Sequence, residues 1–208
     1  MELFNAVRES MNDPQRWHAV TVHLPIVMGL LGVLLLAALV TLMMIARAEQ
    51  ATSVLRWVTV AFYVAAATSA IVAERSGHDA ADSSLADVLL TDDAQSALDA
   101  HREMAERAWL FFAGVAAVTA ATALGKKHRL LQAGLGSVAL TAAVATMGWI
   151  SITAHHGGEL VYEHGVGVPA TENNLPAPAT QPDDTEKVGA MQENSPAPSA
   201  PEGEHKSP

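Results

Sequence analysis

VTVHLPIVMGLLGVLLLAALVTLMMI, residues 20–45, contains no carboxylate, lysine or arginine and is longer than a helix needs to cross the hydrocarbon of a bilayer. Pro25 falls near its start, where a missing amide costs a helix little. Three more apolar runs follow. One spans Trp57–Val72, slightly short, with Glu74 and Arg75 at its exit. Another, Ala108–Leu124, is closed by Gly125-Lys126-Lys127-His128-Arg129, and the last is Leu130–Ala154. The expected fold is therefore all-α, a four-transmembrane-helix bundle over residues 17–168.

Composition agrees with that reading. Of 208 residues, 50% are hydrophobic and only 16% charged, with a mean hydropathy of +0.21, and the apolar residues come in blocks. Aromatics are few and alanine abundant, which suits helices that approach closely. The absence of cysteine excludes disulfides, covalent c-type haem attachment, iron–sulfur clusters and thiol catalysis. The net charge of −10 resides mostly in one loop and the C-terminal segment, as solvated acidic chain. No basic cluster suits nucleic acid.

The segments between the runs set the expected topology. Arg47, Arg56, Lys126, Lys127 and Arg129 crowd the two short turns, whereas the long loop from Glu74 to Arg107 is rich in carboxylates. The positive-inside rule puts both turns in the cytoplasm and both termini outside, in the periplasm if the membrane is a bacterial inner (cytoplasmic) membrane. Within the long loop, Thr91-Asp-Asp-Ala-Gln reads as a helix start, with Asp92 as the cap and Gln95 three residues on. Leu3, Phe4, Val7 and Met11 can share a face of an interfacial helix in residues 1–16. Residues 169–208 contain every proline except Pro14 and Pro25 and almost no large apolar side chain, the composition of a disordered tail.

On this topology His18, His23, His78, His101, His155, His156 and His164 gather at the outer face, with His128 inside. Glu74 and His78, and likewise His155 and Glu159, have the i,i+4 spacing of one helix face, with Gly157-Gly158 as an expected helix end. Imidazole is the side chain of choice for haem iron, zinc or copper near neutral pH. Two histidines on different helices suffice for a b-type haem, and the candidates are His23, His101, His155 and His156. A non-haem transition metal ion would draw on His23, Glu74, His78, His101, His155, His156 and Glu159. Gly114, Gly134, Gly136 and Gly148 are candidates for close approach of a macrocycle or a neighbouring helix. Against these stand the plainer readings: His18, His78 and His164 as interfacial side chains, and His101 paired with Glu103 or Glu106. The chain carries no zincin motif, nucleophile elbow or phosphate loop, so no catalytic residue is assigned and the chain is not read as an enzyme on its own. Strong charges are absent from the middle of the runs, which argues against an ion pump.

His23-Leu-Pro25-Ile26 opening the first run, a histidine opening the third, and Gly157-Gly-Glu-Leu-Val-Tyr162-Glu-His164-Gly-Val-Gly-Val168 after the fourth resemble the bacterial DUF2231 family of predicted membrane proteins. The resemblance covers about residues 17–168. It implies four hydrophobic segments and, because some relatives are joined to cytochrome c-like or Rieske-type modules, an electron-transfer setting. This chain has no such module. It also ends its second run Val72-Ala-Glu74-Arg75-Ser-Gly77, in place of the family's glycine-then-aspartate pattern. Three expectations result: a b-type haem electron-transfer protein with a redox or membrane-complex partner, a non-haem metal protein, or a structural subunit that docks a larger complex.

Overall fold

A computed structural model of the chain describes residues 2, 11–45, 49–85, 90–125 and 128–168. The readings for most of residues 1–16, for Arg47, Lys126 and Lys127 and for the tail 169–208 lie outside the described residues. Everything described belongs to one compact unit, Met1–Val168. It is built of helices α1 (Pro14–Thr21), α2 (His23–Ile45), α3 (Glu49–Leu85), α4 (Asp92–Ala121) and α5 (Arg129–Tyr162). There is no strand among the described residues.

Four helical segments are long and apolar enough to cross a membrane: Pro14–Ile45, Glu49–Ser83, Asp92–Ala121 and Leu130–Tyr162. In each, most of the apolar window lies outside the core. Val27, Leu30, Leu34, Val64, Leu110 and Val144 all face outward, a pattern that favours a lipid surround. α2 packs on α3, α3 on α4, α4 on α5 and α5 back on α2, which closes an antiparallel ring, while α1 lies mainly against α3. Leu36, Leu39, Tyr63, Ala66, Phe112, Val115, Ala139 and Ala143 fill the axis.

α1 and α2 form nearly one rod. It is interrupted at Val22, just ahead of Pro25, whose ring and missing N–H disturb the preceding turn. Asp13 caps α1 by accepting from the amides of Gln15 (3.0 Å) and Arg16 (3.4 Å), and Pro14 stands at the first helical position. Along this rod Thr21, Pro25, Gly29, Gly32, Leu36 and Leu39 are buried, a stripe at helical spacing. The stripe is narrow and tightly seated: a Cβ on Gly29 would stand 2.7 Å from Met147 Sδ, and one on Gly32 2.8 Å from Tyr63 Cζ.

Two helix ends differ from the sequence expectation. Thr91, not Asp92, is the N-cap of α4: Thr91 is the residue with extended backbone, and its hydroxyl accepts from the Ala94 amide at 3.3 Å. Gln95 donates instead to Asp99. Nor does Gly157-Gly158 end α5, which continues to Tyr162 because Gly157 is packed against a neighbouring side chain rather than left to water. The helix stops one turn later. Gly165 adopts φ +65°, and the Val166 amide reaches back to Leu160 O at 2.8 Å, the wide closing bond of a left-handed C-terminal turn.

Candidate functional site

Two histidines on different helices are seated in the same way at one end of the bundle. His18, on α1, places Nδ1 3.1 Å from Ala73 O on α3. His101, on α4, places Nδ1 2.9 Å from Thr153 O on α5. A carbonyl only accepts, so each Nδ1 carries a proton, and the neutral form of each ring has its lone pair on Nε2. In both cases a glycine stands one turn beyond the accepting carbonyl. A Cβ on Gly77 would meet His18 Cε1 at 3.0 Å, and one on Gly157 would meet His101 Cε1 at the same distance. The repeated carbonyl-and-glycine seat lets each imidazole lie directly on the neighbouring helix backbone.

The His18 seat is reinforced from below. Ser76 Oγ lies 3.1 Å from His18 Nδ1 and 2.8 Å from Thr21 Oγ1, and itself donates to Ala73 O. His101 has neither Glu103 nor Glu106 as its partner: Glu103 pairs with Arg107 at 2.8 Å, and Glu106 Oε1 lies 3.7 Å from His78 Nε2. The two seated rings are half-buried and within electrostatic reach of each other, and His101 is within reach of His156 as well.

From His156 the polar belt continues along α5. His156 Nδ1 donates to Glu159 Oε2 at 3.3 Å. Glu159, Glu163 and His164 then present ligand atoms all within 4.8 Å of one another. The turn after α5 folds back toward α1, and a Cβ on Gly167 would touch the Gln15 amide at 3.6 Å. One end of the bundle therefore carries two adjoining donor sets: the seated pair His18 and His101, and the group Glu159, Glu163 and His164 with His156 beside it.

The remaining candidates fall as follows. His23 is exposed, and its Nδ1 donates to Ala19 O of its own rod at 2.7 Å, away from the seated pair. His155 is exposed, its ring 5.9 Å from that of His156. Glu74 is half-buried on α3, which does continue far enough to put His78 on the same side one turn later. His128 stands at the other end, exposed, at the N-cap position of α5. Of the glycines marked for close approach, Gly114, Gly134 and Gly148 have nothing within 4 Å of an added Cβ, while Gly136 meets Val40 at 3.1 Å.

His18, read from the sequence as an interfacial side chain, is instead seated on the backbone of α3. Its signal was available in Asp13-Pro14, a helix start that places Trp17-His18 on a helix. Run backward at helical spacing, the Gly32, Gly29, Pro25, Thr21 series reaches His18. His23 lies five residues on, about 140° round the helix, so the two cannot share a face. No family model, curated protein or solved structure matches the chain.

Proposed function

We propose that the chain is a multi-pass membrane protein that binds a b-type haem at the outer end of its bundle, where His18 and His101 would hold it, and passes electrons to a membrane partner. The observation that carries this reading is the matched seating of the two rings. Nδ1–H bound to a backbone carbonyl is the arrangement that fixes a metal-ligating imidazole in tautomer and orientation, leaving Nε2 basic and directed. The donor chemistry fits, with two neutral imidazoles from separate helices and no competing cysteine. Bound there, haem would supply one-electron transfer. The chain's own part is to hold two nitrogens, exclude water with the α1–α3 and α4–α5 packing, and tune the potential through the carbonyl bonds. The resemblance to the DUF2231 family, some of whose relatives are joined to electron-transfer modules, points the same way.

A second reading rests on a separate observation, the Glu159, Glu163 and His164 ligand atoms within 4.8 Å of one another. Mixed oxygen and imidazole donors suit a divalent transition metal ion. Full-length protein, expressed with ample haem precursor and purified in detergent, distinguishes the two by absorption spectroscopy and elemental analysis. A Soret band that shifts on dithionite reduction, with iron near one per chain, is the expected result. A non-haem ion removed by Glu159→Gln or His164→Ala would favour the second reading. Protein free of both haem and metal would refute both.

A further inference from the structure

The opposite end of the bundle contains a buried guanidinium with no counter-ion among the described residues. Arg56 lies two turns into α3 and is 1% exposed. Its Nε donates to Thr122 Oγ1, at the end of α4, at 2.7 Å. Its Nη1 is buried and finds no acceptor among the described residues. Thr122 Oγ1, which accepts from Nε, itself donates to Thr119 O. None of the four ion pairs among the described residues includes Arg56. Isolating a guanidinium from both water and carboxylate is strongly unfavourable unless an anion completes it.

We propose that Arg56 anchors a phosphate-binding site at this end of the bundle, filled by the phosphate of an anionic lipid headgroup. Three features select that chemistry. A guanidinium fork matches the oxygens of a phosphate. Trp57, the next residue, is 54% exposed at the end of the apolar stretch of α3, the position of an aromatic side chain at headgroup depth. In sequence, the short segments between the apolar runs at this end hold Arg47, Lys126, Lys127 and Arg129, a basic composition of the kind that attracts anionic lipid. Arg56 then gives the geometric specificity of the site. The site is independent of the imidazoles and of whatever they bind.

The test is thermal unfolding, followed by tryptophan fluorescence, of the full chain in nanodiscs of phosphatidylcholine with or without phosphatidylglycerol. Phosphatidylglycerol should raise the midpoint of the wild type by roughly 5 °C, the effect of a ligand well above its dissociation constant on a chain of this size. Arg56→Gln should abolish the rise. Should that variant fail to fold, Arg56→Lys keeps the charge but not the fork, and should retain less than half the rise. An equal rise with inorganic phosphate in detergent, lost in the same variants, would keep the phosphate site but assign it to free phosphate. Midpoints that ignore both anions overturn the proposal, and so does a phosphatidylglycerol rise that is undiminished in both Arg56 variants.

Discussion

Replacing Gly157 by alanine isolates the contact that seats His101. An added Cβ would stand 3.0 Å from His101 Cε1 and 3.2 Å from Nδ1, tighter than ordinary van der Waals contact. The ring cannot retreat freely, because its Nδ1 is bonded to Thr153 O one turn earlier at 2.9 Å. Crowding of this kind costs about 1–3 kcal/mol. Alanine for glycine within a helix gains about 0.8 kcal/mol by itself. Gly148 lies on the same helix with nothing within 4 Å of an added Cβ, so Gly148→Ala carries the gain without the clash. The propensity gain cancels between the two variants, leaving a difference of roughly 1–3 kcal/mol, or about 3–8 °C in unfolding midpoint for a chain of this length. Haem affinity should separate them too, since disturbing the hydrogen bond behind a ligand lowers affinity by about 10–100-fold. Thermal unfolding and haem titration of both variants in one detergent make the comparison. Variants that melt together and bind haem alike would refute the seating argument.

Other substitutions probe the frame around the site. Asp13→Ala removes the cap of α1, should cost about 1 kcal/mol, and should loosen haem held through His18 more than it lowers the midpoint. Tyr63→Phe should raise stability by about 1 kcal/mol, because the buried Tyr63 hydroxyl has no hydrogen-bond partner; a fall in the unfolding midpoint would contradict that. Gly32→Ala pushes a methyl to 2.8 Å from the Tyr63 ring and should lower the midpoint by several degrees, roughly 1–3 kcal/mol in the same scan. Trp149→Phe loses the indole bond to Met104 O, 3.0 Å, and should cost about 1 kcal/mol by thermal unfolding.

The four helices were legible because apolar runs of bilayer length leave few alternatives, and the runs at 20–45 and 130–154 both lie within the helical segments observed. Hydropathy alone understates helix length where polar residues continue the helix beyond an apolar run. Thus α3 continues past Val72 as far as Leu85, and α5 passes through Gly157-Gly158. The site was legible only as a location. His101 and His156 lie at one end of the bundle within electrostatic reach of each other, but the partner of His101 is a backbone carbonyl of another helix, and carbonyls leave no trace in side-chain spacing. His23 drew attention through Pro25, although helical geometry turns it away from the axis that Pro25 and Gly29 face. The glycines that matter, Gly77 and Gly157, stand opposite histidines on other helices, and pairing across helices is not encoded in the local pattern of either one.

The central claim is that His18 and His101 together ligate one iron, and electron paramagnetic resonance of the oxidised, haem-loaded chain tests it most directly. The wild type should give the signal of low-spin, six-coordinate ferric haem. His18→Ala and His101→Ala should each convert it to a high-spin signal, while His23→Ala and His155→Ala leave it unchanged. A low-spin signal that survives loss of both seated imidazoles, or that vanishes with His23 instead, would contradict the account.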